Sequence, residues 1–225
     1  MKKLNLCLIL FCILIGLAAE EVIDGSPIRF SLLKALDYEV NLTTGTSIGR
    51  LYVSVNYELS QSDLLNTDYY SFFLNSNAII EHVKLNGVET RYNITTNLHP
   101  KHFIPELIQP ELIEEDSEVN CYSFDAALFE DLPQNVAVTL EYWLPLPAYS
   151  LQEDGREAIM IGTIPFFYPR NIIESSKVNV NIITPIFHGI DSAINTQDTG
   201  GIRRIYSNFV DIPQETIKLD IYKLN

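Results

Sequence analysis

The first candidates for catalytic or metal-binding residues are four histidines, at positions 82, 99, 102 and 188. His99 and His102 are the closest pair, with Pro100 and Lys101 between them. A zinc protease needs two histidines one helical turn apart with a glutamate base between them, and this segment has neither that spacing nor that glutamate. The proline indicates a loop instead. We therefore predict no metal site, and we expect His82 to be a surface residue of a strand or a hydrogen-bonded partner.

Residues 45–49, which read Gly-Thr-Ser-Ile-Gly, match the G-x-S-x-G pattern of serine hydrolases. That chemistry needs the serine on a tight turn from a strand into a helix, whereas here a strand-like segment follows. The pattern therefore predicts a turn and no catalytic serine. Nothing in the sequence singles out two of its many carboxylates as a glycosidase pair. We expect no enzymatic activity and no cofactor.

An acidic segment spans residues 109–118 and carries five carboxylates, Glu111, Glu114, Glu115, Asp116 and Glu118. Calcium prefers several oxygen ligands, so such a segment could hold one. The alternating Asp/Asn pattern and the glycine of a calcium-binding loop are missing, which favours a solvated loop. Whether this loop binds a cation stays open at this stage.

The amino-terminal residues 1–19 have the pattern of a secretory signal peptide. Lys2 and Lys3 precede an apolar run over 6–17, and Ala18 and Ala19 precede two glutamates. A membrane span needs about 20 apolar residues, and this run is shorter. We predict cleavage after residue 18 or 19, export to the periplasm or the extracellular space, and no membrane span in the mature residues 20–225.

The formal net charge of −14 becomes −16 when the two lysines of the signal peptide are removed. Such an acidic surface repels phosphate backbones and anionic lipids, so nucleic acid is not an expected partner. Cys121 is the one cysteine of residues 20–225, so no disulfide can form within that part of the chain. We predict a buried, unreactive thiol, with pairing to another chain as the alternative.

Apolar residues alternate with polar ones along most of the chain after residue 36. The clearest cases are 51–59, 136–144, 178–182 and 217–221, and Asn86-Gly87 is a strong hairpin signal. Roughly nine to eleven such strands, with turn signals about every ten residues, predict an all-β protein. We expect one antiparallel β-sandwich over residues 20–225, with short helical turns at 31–36 and 126–132.

Two segments combine aromatic residues with prolines after strands, at 143–149 and 164–171. Proline keeps such segments out of a central ladder, which favours loops. Exposed rings beside an arginine are typical anchors of binding interfaces. The alternative is a small satellite core beneath a loop. The predicted contact residues are Trp143, Tyr149, Phe166, Phe167, Tyr168 and Arg170.

Six short strand-like or aromatic-proline segments follow one another from residue 36 onward, namely 38–42, 49–57, 80–87, 136–142, 166–169 and 178–185. Their order resembles the amino-terminal β-domain of zinc aminopeptidases related to aminopeptidase N. In those enzymes a catalytic domain with H-E-x-x-H and G-x-M-E-N motifs follows, and neither motif occurs here. The resemblance therefore implies a non-catalytic domain that stands alone, ending near residue 225.

These observations favour an exported binding or accessory domain that presents a sheet face and aromatic-proline loops to a protein or peptide partner. A secreted hydrolase that acts on glycans or peptides, through carboxylates or the 99–102 segment, is the alternative. A third possibility is a structural component of an envelope assembly, linked through Cys121. The partner and the oligomeric state stay open.

Overall fold

A computed structural model describes residues 21–23, 26–28, 30–32, 35–44, 49–60, 68–98, 119–129, 132, 135–164, 166–170, 175–212 and 217–224. The predicted signal peptide, the serine of the G-x-S-x-G pattern, the 99–102 segment and the acidic loop lie outside these residues, so those predictions stay untested. Among the described residues, no helix is long and apolar enough to cross a membrane.

The described chain is almost entirely β-structure, as predicted. Its strands are β1 (Glu21–Ile23), β2 (Ser26–Ile28), β3 (Phe30–Leu32), β4 (Asp37–Thr44), β5 (Arg50–Ser60), β6 (Tyr69–Asn75), β7 (Ile79–Leu85), β8 (Val88–Glu89), β9 (Asn93–Leu98), β10 (Val119–Asp125), β11 (Asn135–Pro145), β12 (Ser150–Leu151), β13 (Glu157–Met160), β14 (Ser176–Pro185), β15 (His188–Gly189), β16 (Asn195–Thr199), β17 (Ile202–Asp211) and β18 (Asp220–Lys223).

This number exceeds the predicted nine to eleven because several strands have only two or three residues, too short for a visible alternation. Two 3₁₀ helices cover Ala126–Phe129 and Ile161–Thr163. The first confirms the predicted turn at 126–132. The expected helical turn at 31–36 is wrong at its start, because Phe30–Leu32 is a strand.

Three sheets and one short pair contain these strands. The large sheet has the order β16-β17-β14-β4-β5-β11-β7-β8. The β10 sheet has the order β3-β6-β10-β9, the β18 sheet has the order β12-β13-β18-β15, and β1 pairs with β2. The expectation of a purely antiparallel fold is wrong at two places, because β14 pairs with β4, and β3 with β6, in parallel.

One face of the large sheet forms the core because buried and solvent-facing side chains alternate along its central strands. Along β11, the even-numbered side chains from Val136 to Leu144 are buried, and the odd-numbered ones are exposed or half-buried. Strands β4, β5 and β14 follow the same rule. Such period-two burial is expected of a sheet with one buried and one solvated face.

The β10 sheet covers this buried face and completes the sandwich. Phe72 of β6 stacks on Tyr122 of β10 with ring centroids 5.2 Å apart, and Phe124 lies 5.6 Å from Phe72. These rings belong to the same continuous core cluster as the buried residues of β4, β5 and β11. Each fully buried large apolar side chain stabilises the fold by about 1.5–3 kcal/mol. The predicted β-sandwich is therefore confirmed.

The hairpin between β7 and β8 confirms the turn predicted at Asn86-Gly87. Both residues have positive φ, 48° and 79°, as a type I′ turn requires. The Asn86 amide side chain also accepts a 2.9 Å hydrogen bond from the Ala137 N–H, which ties the turn to β11.

Candidate binding surface

The outward face of the large sheet carries two aromatic rings at the ends of its two longest strands. Tyr52 of β5 and Trp143 of β11 are directly paired, and both are half-buried. Their ring centroids lie 5.1 Å apart at an interplanar angle of 61°. Ile79 of β7 pairs with Trp143 from the other side and is 55% exposed. We name Tyr52, Trp143 and Ile79 the aromatic row.

The indole of Trp143 is held in place by a carboxylate. Its Nε1 donates a 2.7 Å hydrogen bond to Glu81. The register between β11 and β7 shifts by one residue beside Glu81, because Glu141 pairs with His82 while Tyr142 pairs with Ile80. This β-bulge aims the Glu81 side chain at the indole, a common use of bulges near functional sites.

Other outward-facing positions of the same sheet carry polar side chains. Lys84 and Glu141 form a 3.0 Å ion pair. Thr139 donates to Asn56 at 2.8 Å, and the Asn181 amide donates to Asn41 at 2.9 Å. Burial, then the charges of Glu141 and Glu81, raise the pKa of Tyr52, so its phenol stays a neutral hydrogen-bond donor. A ring-containing centre within a polar rim is the usual anatomy of a protein interface.

The prediction of exposed rings at Phe166, Phe167 and Tyr168 is wrong. All three side chains are buried, at 5%, 4% and 1% exposure. Phe166, which has a φ of 50°, lies 6.0 Å from Phe73 of β6, and its carbonyl accepts a hydrogen bond from Asn75. The segment lies against the sandwich because its rings extend the core between the sheets. The segment therefore matches the alternative that the sequence analysis gave, a small core beneath a loop.

Arg170 ends that segment in an ion pair with the buried carboxylate of Asp211. Its guanidinium forms two hydrogen bonds with Asp211, 2.5 and 3.1 Å long, and a third with the Ile212 carbonyl at 2.8 Å. The Tyr168 hydroxyl also donates to Asp211. Burial raises the pKa of Asp211 and lowers that of Arg170, because each charge has left water. Pairing with the opposite charge acts against both pKa shifts. The hydrogen-bonded pair therefore joins the segment to β17.

Tyr149 lies with the β18 sheet and does not join the aromatic row. Its hydroxyl is 2.7 Å from Nε2 of His188, and the ammonium of Lys223 lies 4.2 Å from its ring centre. Of the six predicted contact residues, Trp143 therefore lies on the outward sheet face, half-buried and within β11 rather than in the predicted loop. Tyr149 and Arg170 are half-buried and are engaged by their own domain.

The sequence reasoning missed Tyr52, Ile79 and Glu81. For Tyr52 a signal was present, because it is an aromatic residue in a position where the alternation of β5 expects a polar one. Its pairing with Trp143 depends on a register between strands about 90 residues apart in the chain, and no local pattern contains that information.

Histidines and carboxylates do not form a metal centre in the described part of the chain. There, no group of three His, Cys, Asp or Glu side chains could hold an ion. His82 lies on β7 with its Nδ1 2.5 Å from Glu89 and is exposed. His82 is thus both exposed and paired, in agreement with the sequence prediction of a surface residue or a hydrogen-bonded partner.

The fold matches solved structures of leukotriene A4 hydrolase and of an M1 zinc metallopeptidase over most of this chain. Native leukotriene A4 hydrolase from Saccharomyces cerevisiae superposes with a TM-score of 0.54 at 12% identity, covering 85% of this chain and 29% of that one. The bestatin complex of the yeast hydrolase gives 0.52 at 10% identity, with the same two coverages. A peptide-bound M1 zinc metallopeptidase from Deinococcus radiodurans gives 0.50 at 10% identity, covering 84% and 42%. The sequence matches no protein-family model and no curated protein.

These comparisons define the class of fold. The chain has the architecture of a β-domain of M1-type zinc peptidases, as its sequence resemblance implied. It spans 29% to 42% of the length of the enzymes named above, a share consistent with their amino-terminal domain. At identities of 10% to 12%, the likeness concerns the fold alone.

Proposed function

We propose that this chain is an exported, non-catalytic binding domain that takes a protein or peptide partner on the open face of the large sheet. The observation that carries the proposal is the aromatic row of Tyr52, Trp143 and Ile79. Ile79 is exposed, Tyr52 and Trp143 are half-buried, and hydrogen-bonded polar side chains share their face of the sheet. Aromatic side chains at the centre of such a surface supply most of the binding free energy in protein interfaces.

The geometry of the row favours a polypeptide over a small molecule. The row runs across three neighbouring strands of an open sheet, and neighbouring strands lie about 4.8 Å apart. Such a surface suits an extended or flat partner, whereas small ligands need a concave pocket that surrounds them. Because Glu81 already bonds the indole and the β-bulge positions that glutamate, the ring is preorganised and loses little freedom on binding.

Capture from the host's exported proteins tests the binding proposal. Tagged protein of residues 20–225 serves as bait, beside a Tyr52→Ala/Trp143→Ala double variant. Phe187→Ala is the matched control, because Phe187 is also an exposed aromatic, at 46%, but lies in the turn before β15. We expect one partner to bind the unchanged protein and the control, and the double variant to lose at least tenfold in affinity when Kd is measured with that partner.

Two outcomes contradict the proposal. Equal binding by the double variant would place the site elsewhere, provided that its circular dichroism spectrum is unchanged. Turnover of peptide or glycan substrates by the purified protein would show that it is an enzyme. The export part of the proposal is tested separately by the mass of the protein recovered from its host, which should begin at residue 19 or 20.

A further inference from the structure

His188 occupies a fully buried position at the junction of two sheets. Its side chain has no exposed surface, and both ring nitrogens have partners. Nδ1 lies 3.0 Å from the Thr184 hydroxyl, and Nε2 lies 2.7 Å from the Tyr149 hydroxyl. Thr184 in turn accepts a 2.8 Å hydrogen bond from Thr44. A continuous hydrogen-bonded chain therefore runs from β4 through β14 and His188 to Tyr149, in the loop before β12.

This chain connects the large sheet to the β18 sheet. Thr44 and Thr184 belong to the large sheet, while His188 itself pairs with Lys223 of β18. The two sheets are also joined covalently through the turn at Ile186 and Phe187. His188 is the titratable side chain within this hydrogen-bonded chain, apart from the phenol of Tyr149.

The charges that surround His188 disfavour its protonation. Lys223 is its cross-strand neighbour, and the Arg203 guanidinium donates to the His188 carbonyl at 3.0 Å. Two nearby carboxylates already pair with these cations, Glu157 with Lys223 and Asp198 with Arg203. The titratable and charged groups on the elements packed around His188 include Lys223 and Tyr222 of β18, Glu157 of β13, Arg203 of β17, Asp198 of β16 and Tyr149.

We propose that His188 is a pH-sensitive latch, which holds the β18 sheet on the large sheet while the imidazole is neutral and releases it in acid. A neutral imidazole offers one donor and one acceptor to its two hydroxyl partners. An imidazolium donates from both nitrogens, so the hydroxyl that donated to it loses its acceptor. The new charge would also be buried beside Lys223. This inference goes beyond the binding function and does not depend on it.

The direction of the pH effect follows from the environment. Burial, and then Lys223, lower the pKa of His188 from its ordinary value of 6.5. The unfolded or opened segment therefore binds a proton at a higher pH than the closed one. The stabilising contribution of His188 is complete above about pH 6.5 and is lost as the pH falls through the lower pKa of the closed state.

Hydrogen exchange followed by mass spectrometry, at about pH 7.5 and about pH 5 and corrected for the intrinsic exchange rate, tests the latch. We expect protection of segments 149–160 and 217–224 to fall in acid, by up to about tenfold for each pH unit below about 6.5. His188→Gln keeps a donor and an acceptor without a titrating group, so its protection should not change with pH. His82→Gln removes an exposed histidine and should behave as the unchanged protein.

A second variant, Lys223→Gln, tests the latch independently if His188→Gln misfolds. Lys223 is partly exposed, and its removal in Lys223→Gln brings the pKa of His188 closer to its ordinary value. The acid-induced loss of protection should therefore become smaller. The proposal would be overturned if protection in the unaltered protein did not change with pH. It would also be overturned if acid reduced protection in both His188→Gln and Lys223→Gln as much as in the unaltered protein.

Discussion

At the scale of single residues, two buried tyrosines of neighbouring strands differ in one hydrogen bond. Tyr142 donates its hydroxyl to the Phe167 carbonyl at 2.5 Å. The hydroxyl of Tyr57 is equally buried and has no hydrogen-bond partner within the part of the chain that the structure describes. Burial raises the pKa of both phenols, so each hydroxyl keeps its proton.

We expect Tyr57→Phe and Tyr142→Phe to have opposite consequences. Removing the Tyr57 hydroxyl takes away a desolvated polar group, so the free energy of unfolding should stay unchanged or rise by up to about 1 kcal/mol. Removing the Tyr142 hydroxyl leaves the Phe167 carbonyl unpaired and should cost about 1–2 kcal/mol. Urea denaturation of both variants measures the difference, and an equal loss in both would mean that Tyr57 has a partner.

At the scale of elements, the 3₁₀ helix Ile161–Thr163 packs against the chain that enters β18. The Gly162 N–H donates to the Leu219 carbonyl at 3.1 Å. A Cβ on Gly162 would lie 1.8 Å from the Ile217 carbonyl oxygen, far inside any allowed contact. The close approach of these two backbones therefore requires glycine, for steric reasons.

Gly162→Ala should push the helix and the 217–219 segment apart and cost about 1–3 kcal/mol of the free energy of unfolding, the usual range for overpacking. Gly49→Ala is the matched control, because a Cβ there meets nothing within 4 Å. Denaturation midpoints of the two variants give the comparison. Similar midpoints would show that the two segments separate at little cost.

At the scale of the whole molecule, pairing between distant parts of the chain holds the sandwich together. Strand β14 lies between β17 and β4 in the interior of the large sheet, and its Val180 pairs with Val40, 140 residues earlier. Most buried apolar residues of the large sheet and of the β10 sheet, with some of the β18 sheet, form one continuous cluster. Such non-local contacts are expected to fold slowly and cooperatively.

Equilibrium unfolding at neutral pH should therefore be a single transition. The chain has one tryptophan, Trp143, which reports on the large sheet, while far-ultraviolet circular dichroism reports on all strands. The two signals should give the same midpoint in urea. Separate midpoints would mean that one sheet unfolds independently of the others.

The sequence by itself determined the class of fold, the long strands of the large sheet and the hairpin at Asn86-Gly87. These features are local, because burial of one sheet face produces an alternation that is visible within a single strand. The resemblance to the aminopeptidase β-domain was visible for the same reason, since it rests on the order of such strands. Trp143, which the neighbouring prolines predicted to lie in a loop, instead belongs to β11.

Only the tertiary structure decided the role of the segment 166–170 and the parallel pairings of β4 and β3. A run of aromatic residues with prolines has no period, so its composition is equally compatible with an exposed loop and with a covered core. Its burial depends on Phe73, Tyr142 and Asp211, which lie elsewhere in the chain. The neighbours of His188 are likewise assembled from three distant segments, and hydrogen bonds of this kind leave no mark in a local sequence pattern.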